Sequence, residues 1–133
     1  MKYVYFVLWL LLCYSSHGQC GGMTYTQQEP FVLSGYQYQK GYNLFGDGSY
    51  QEITYTGVFE KGNTYYLYVH RRNDKAQYSI KVMSTKREVL FSSTDNHLHF
   101  TLPKNGLYYL VFEPIKSCSV CDCGIAVLSK KVN

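Results

Sequence analysis

Three cysteines lie within six residues near the end of the 133-residue chain, in the stretch KSCSVCDCGIAVLSKK. The thiols of Cys118, Cys121 and Cys123 could bind a metal, act as a redox dithiol or form structural disulfides. A structural zinc site ordinarily has two separated ligand pairs, whereas a single such pair occurs here. A thioredoxin-type dithiol precedes a helix, and residues 124–128 are typical of a strand. We therefore interpret these cysteines as disulfide partners.

Cys20 brings the cysteines beyond residue 18 to four, an even number that favours two disulfides in an exported chain. A bond between Cys121 and Cys123 would be strained, so Cys20 is expected to pair with one of these two. The remaining pair is then Cys118 with Cys121, or Cys118 with Cys123. Either long bridge from Cys20 closes a loop of roughly 100 residues. In a chain-entropy model, a loop of this length corresponds to a stabilisation of roughly 4–5 kcal/mol. The bridge would tie the first strand to the last.

The N-terminal residues MKYVYFVLWLLLCYSSHG have the organisation of a signal peptide. Lys2 is followed by an apolar stretch, residues 3–13, that is too short to span a bilayer. Ser16 and Gly18 provide small residues at the −3 and −1 positions of a cleavage site. We predict that residues 1–18 are removed and that the protein is exported, to the periplasm or outside the cell. Lipid attachment at Cys20 is disfavoured because glutamine directly precedes it.

Residues 19–133 have the length of one domain with a modest core. The full chain has a net charge of +4, and removal of the signal with its one lysine leaves +3. The basic pairs are spread along the sequence, whereas a nucleic-acid site would concentrate them on one element. The sequence therefore predicts no nucleic-acid partner, and no segment after the signal is apolar and long enough to be transmembrane.

Apolar residues alternate with polar ones at a period of two in several short segments, and none repeats at 3.6. Clear examples are residues 51–56, 77–83 and 97–102, and residues 107–112 are apolar throughout, as in a central strand. The pattern predicts about eight strands, beginning with residues 31–38. It also predicts a bulge at Gly57 and a hairpin turn at residues 60–63. The expected fold is all-β: a two-sheet antiparallel β-sandwich in jelly-roll or immunoglobulin-like order.

The turn and strand residues VFEKGNTYY, YSIKV, VLF, FTL, GLYYL and CGIAVL, taken in this order, carry a family resemblance. They resemble small exported β-sandwich proteins of Bacteroidetes-type bacteria, which are similar in layout to pre-peptidase C-terminal domains. The resemblance covers roughly residues 50–130. It implies a β-sandwich and transfers no catalytic residue, because the group has none established.

The sequence predicts that the protein is not an enzyme and needs no cofactor. It has no G-x-S-x-G motif, and none of its glutamates is singled out as half of a catalytic carboxylate pair. His97 and His99 share one face of a strand at i and i+2, so they are weak candidates for a shared metal ion. The alternative is that they form the polar, solvent-facing side of that strand.

Tyrosine is the best argument for a binding role, because the chain has 15 tyrosines and an exposed ring can contact sugars or proteins. The candidate surface comprises Tyr66 and Tyr68 with the basic residues Arg71 and Arg72 next to them. Half-buried strand tyrosines are the ordinary alternative. We therefore predict a non-catalytic interaction or structural module with an unidentified protein or glycan partner. The second hypothesis is a carbohydrate-binding module that uses exposed tyrosines, and the third is metal binding at His97 and His99.

Overall fold

A computed structural model describes residues 32–45, 52–71, 77–116 and 123–133. These residues form eight β-strands: β1 (Tyr36–Phe45), β2 (Ile53–Phe59), β3 (Thr64–Arg71), β4 (Gln77–Met83), β5 (Val89–Ser93), β6 (His97–Thr101), β7 (Gly106–Lys116) and β8 (Cys123–Lys131). In this part of the chain, no helix could cross a membrane.

The strands form two antiparallel sheets of four, which confirms the predicted all-β sandwich. Sheet A has the order β1-β8-β3-β6 and sheet B the order β2-β7-β4-β5. Of the two predicted arrangements, this order is that of a jelly roll. Strands β7 and β8 are central in their sheets, in agreement with their continuous apolar sequences.

The topology is that of one long hairpin rolled into a sandwich. Antiparallel pairs join β1 to β8, β2 to β7, β3 to β6 and β4 to β5. The tip of this hairpin lies between β4 and β5, where Ser84 N donates to Glu88 O and Arg87 adopts a φ of 65°. All other successive strands lie in opposite sheets, because rolling the hairpin separates them.

The predicted hairpin turn at residues 60–63 is wrong for this reason, since β2 belongs to sheet B and β3 to sheet A. The segment instead crosses between the sheets. Gly62 supplies the positive φ of 80° that was expected of it. The side chain of Asn105 stabilises this crossing segment, because its Oδ1 accepts a hydrogen bond from Lys61 N.

The core lies between the inner faces of the two sheets. The alternation predicted from sequence is confirmed for β4 and β6, because Tyr78, Ile80 and Val82 are buried, as are Leu98 and Phe100. Burial of each large apolar side chain contributes about 1.5–3 kcal/mol. Five rings of this core contact one another: Phe59, Tyr65, Phe91, Phe100 and Tyr108.

Two local predictions are corrected. The first described strand begins at Tyr36 and not near residue 31, because Gly35 has a φ of 83° and Tyr36 N donates to Leu33 O in a turn. Gly57 pairs with Tyr108 in regular register and forms no bulge. It is needed because a Cβ at this position would lie 2.7 Å from the Phe59 ring.

Candidate binding cleft

The two long sides of the sandwich differ in how they are closed. On one side, strands β5 and β6 are bridged by the rings of Phe91 and Phe100, whose centroids are 6.1 Å apart. On the other side, β1 and β2 are held together at one end, where the rings of Tyr42 and Tyr55 lie 4.9 Å apart and Tyr55 donates a hydrogen bond to Asn43 O. Away from this contact, β1 and β2 border an open cleft.

The cleft has a volume of about 370 Å³, within the range of small-molecule and side-chain pockets. Its floor is aromatic and aliphatic, and its mouth carries polar and charged groups. The lining residues are Gln39, Lys40 and Tyr42 of β1, Thr56–Phe59 of β2, Glu60 and Tyr65, Leu107 of β7, and Leu128 and Lys130 of β8.

A bulge in β1 lies at the mouth of the cleft. The register against β8 shifts between Tyr38 and Lys40, which leaves Gln39 as an extra residue. The Gln39 side-chain amide donates to the backbone carbonyls of Gln37 and Tyr38, at 3.4 and 3.2 Å. The bulge thus allows both Gln37 and Lys40 to occupy inner-face positions on the same strand.

Two lysines of the cleft occupy positions on the inner face of sheet A. Lys40 pairs with the core residue Leu128, and Lys130 pairs with the core residue Tyr65. Residues opposite each other in a sheet point to the same face, so both side chains leave the backbone on the core side; Lys130 is half-buried there and Lys40 is exposed. Lys40 Nζ lies 5.4 Å from the centroid of the Tyr42 ring, a cation–π contact.

Neither lysine has a carboxylate within 4 Å among the described residues, where the one ion pair joins Lys81 to Glu113 on sheet B. Glu60 is the one carboxylate among the lining residues that the structure describes, and its Oε2 accepts a hydrogen bond from Asn63 Nδ2 at 2.7 Å. Burial raises the pKa of Tyr42 above its ordinary value of 10.0, and the charge of the neighbouring Tyr38 adds a smaller effect in the same direction. The cleft is therefore cationic at neutral pH, with a neutral phenol in its wall.

The predicted surface tyrosines lie elsewhere, on the outer face of sheet A. Tyr66 is only 7% exposed, because neighbouring rings cover it. Its centroid lies 4.4 Å from that of His99, 6.0 Å from that of Tyr36 and 6.4 Å from that of Tyr68. Burial is the main cause that raises the pKa of Tyr66, and the charges of Tyr68 and Tyr36 add smaller effects in the same direction. Tyr68 is half-buried in the same cluster.

The basic part of the predicted surface lies largely outside the described residues. The backbone of Arg71 ends β3 and pairs with Gly124. The side chain of Arg71, and all of Arg72, lie outside the description. Their role in binding stays a prediction.

His97 and His99 project from the outer face of β6, as their alternation with Leu98 and Phe100 predicts. Each ring is held by a neighbour. His97 Nδ1 lies 2.9 Å from Asp95 O, and His99 Nδ1 lies 3.3 Å from the Tyr36 hydroxyl. No group of three or more potential metal-binding side chains occurs in the described ranges.

The cysteine predictions fall almost entirely outside the described residues. The backbone of Cys123 begins β8 opposite Phe45, but its side chain is outside the description, together with Cys20, Cys118 and Cys121. The pairing of these four cysteines stays a prediction.

Neither cleft lysine was among the candidate binding residues predicted from the sequence. Lys130 could have been found, because it follows Ala126 and Leu128 at a spacing of two and therefore shares their inner face. Lys40 shares the inner face of Tyr42 and Leu44 at the same spacing of two. It was missed because the predicted first strand ended at residue 38.

Comparison with known proteins assigns no family. No protein-family model matches the sequence, and no curated protein matches it either. Two solved structures resemble this chain weakly. One is PliG of Aeromonas hydrophila, a periplasmic inhibitor of g-type lysozyme. Its TM-score is 0.45 at 15% sequence identity, and the match covers 74% of this chain and 86% of PliG. The other is the Yersinia pseudotuberculosis-derived mitogen YPM, with a TM-score of 0.38, 13% identity, and coverage of 62% and 86%. Similarities this weak give no functional assignment, and the resemblance to pre-peptidase C-terminal domains stays a prediction.

Proposed function

We propose that this protein is an exported, non-catalytic binding module whose partner occupies the cleft between β1 and β2. The observation that supports this is the pair of inner-face lysines, Lys40 and Lys130, at a cleft whose described lining contains one carboxylate. Lys130 is half-buried, whereas Lys40 is exposed. A charge held partly away from water, such as that of Lys130, is costly unless a partner group compensates it. A bound ligand would supply that compensation.

The residues around the cleft favour binding over catalysis. General acid–base chemistry on glycosides uses two carboxylates, and acyl transfer uses a nucleophile with a base. In the described part of the chain, the lining residues provide Glu60 as the one carboxylate and include neither histidine nor cysteine. Two lysines and several aromatic rings form an environment for recognition of a complementary surface.

A carbohydrate-binding module is the second candidate, supported by the cluster of aromatic rings on the outer face of sheet A. Sugar stacking needs an exposed ring face, however, and Tyr66 is covered by its neighbours. A glycan array decides between the candidates. A specific glycan whose binding is lost in Y68A and kept in the double variant K40Q/K130Q would move the function to the outer face.

Site-specific photo-crosslinking tests where the partner binds. A photoreactive residue replaces Val58, which lines the cleft and is 78% exposed, or Val89, which lies on β5 and is 51% exposed. The two positions are matched, because both are exposed valines on edge strands of sheet B. We expect a discrete crosslinked protein in the source cells from Val58 alone. Crosslinking from Val89 alone, or equally from both, would contradict a partner site at the cleft.

A further inference from the structure

We propose that the partner is a protein whose extended segment pairs with the edge of β2 that no described strand covers, and places an acidic side chain between Lys40 and Lys130. This inference rests on the proposed function and names its ligand. It combines two independent features of residues 32–45, 52–71, 77–116 and 123–133: the cleft lysines, which have no carboxylate within 4 Å in these ranges, and the edge of β2, which has no partner strand in them.

The charge argument begins with the positions of the lysines. Natural sheets use inward-pointing charges on edge strands to prevent unwanted pairing, which would account for Lys40 on the edge strand β1. It does not account for Lys130, because β8 is a central strand paired on both sides. Two ammonium groups of the same cleft, without a described carboxylate within 4 Å, fit a carboxylate ligand.

The two edge strands that border the cleft differ in how they are protected. Strand β1 carries the bulge at Gln39, the Gln39 side chain bonded to its own strand, and Lys40. These are the usual features that block pairing. Strand β2 has the sequence ITYTGVF, without charge, proline or register shift. Among the described strands none pairs with its outer edge, so that edge keeps the backbone groups that an added strand would use.

A strand added beside β2 would extend sheet B along the cleft. Its side chains would alternate between the inner face, towards Lys40 and Lys130, and the outer face. The outer face at this end of sheet B exposes Val58 at 78% and Leu107 at 45%, which are paired with each other. We therefore expect the bound segment to alternate an acidic residue with an apolar one.

Peptide selection on the intact chain tests the inference. Random peptides of about ten residues, long enough to span β2, are displayed and selected against the wild-type protein. We expect the selected peptides to share an aspartate or glutamate flanked at alternate positions by apolar residues. Replacement of that acid by its amide should weaken binding about tenfold or more. Selected peptides without a shared acid would overturn the inference.

Matched charge variants locate the acid. In K40Q/K130Q the two inner-face lysines lose their charge, whereas K104Q/K131Q removes the same charge from two exposed lysines. We expect the first to weaken peptide binding about tenfold or more and the second about twofold or less. Equal effects of the two variants would overturn the inference. Thermal unfolding of each variant verifies that it is folded, and single K40Q and K130Q variants replace the double variant if it is not.

Competition separates a protein segment from a small acid. Free glutamate or glucuronate that displaces the peptide at a similar concentration would show that pairing with β2 adds nothing, and would overturn the inference. The crosslinking experiment at Val58 keeps the two proposals distinguishable. A partner crosslinked there that lacks an acidic extended segment would retain the proposed function and remove this inference.

Discussion

Lys130 lies directly opposite Tyr65 in the pairing of β8 with β3, so a lysine occupies an inner-face position beside a buried aromatic ring. The next residue, Lys131, is exposed and pairs with Tyr36 on β1. Two consecutive lysines thus lie on opposite faces of one strand. Substitution of each in turn can therefore distinguish an effect at the cleft from an effect of surface charge.

Replacement of Lys130 by methionine should leave the free energy of unfolding unchanged or raise it by about 1 kcal/mol. The reason is that an apolar side chain of similar length replaces a charge without a close acid on a half-buried inner face. Urea denaturation measures this effect, with K131M as the matched control on the exposed face. A clear loss of stability in K130M alone would show that the lysine supports the fold, which would weaken its assignment to a ligand.

Replacement of Gly57 by alanine should destabilise the protein by about 1–3 kcal/mol. The added Cβ would lie 2.7 Å from Cε2 and 2.9 Å from Cζ of Phe59, and that ring is buried in the core and cannot move freely. The cost should fall in a protein that also carries F59L, because the smaller side chain leaves room. Equal costs of G57A in the two backgrounds, measured by denaturation, would contradict this explanation.

The sequence predicted the fold well because its strands alternate cleanly. In residues 77–83 and 97–101, the identity of the inner face follows from the side chains alone. The connections were predicted less well, because a turn such as residues 60–63 has the same local chemistry whether it joins neighbouring strands or crosses between sheets. Gly57 was misinterpreted because a bulge and a ring packed over a strand both favour glycine.

The candidate site was largely missed for a related reason. A surface of tyrosines is visible in the sequence, but the degree to which Tyr36 and His99 cover Tyr66 depends on pairing between strands far apart in the chain. The cleft likewise arises where β1 and β2 diverge, and this is a property of the two sheets together. Sequence alternation alone could have assigned Lys130 to the inner face.

Asn96 should be essential for the connection between β5 and β6. It has a φ of 61°, its Oδ1 accepts a hydrogen bond from Tyr78 N at 2.7 Å, and its carbonyl accepts one from Val69 N at 2.7 Å. N96A should cost about 2–4 kcal/mol, because it removes the buried acceptor and places alanine in the left-handed region. N96G should cost less, since glycine tolerates that backbone. Denaturation curves in which N96G is the more damaging variant would contradict this account.

Alkaline pH should destabilise the protein partly through Tyr42 and Tyr66. Burial raises the pKa of both phenols above 10.0, so the folded protein retains protons that the unfolded chain releases. The stability that these groups contribute is complete below about pH 10 and is lost as the pH rises through their folded-state pKa values. Y42F and Y66F should each reduce the fall in unfolding free energy between pH 9 and about 11. A fall as steep as in the wild type would contradict this assignment.

Backbone amide hydrogen exchange in complex with an acidic peptide tests the cleft most directly. NMR can follow the amides of β2, at the edge of sheet B that borders the cleft, and those of β6, at the opposite edge of the other sheet. We predict that the peptide slows exchange at alternate residues of β2 and leaves β6 unchanged. Slowed exchange on β3 and β6 with β2 unaffected would contradict the cleft as the binding site and would return the function to the aromatic outer face.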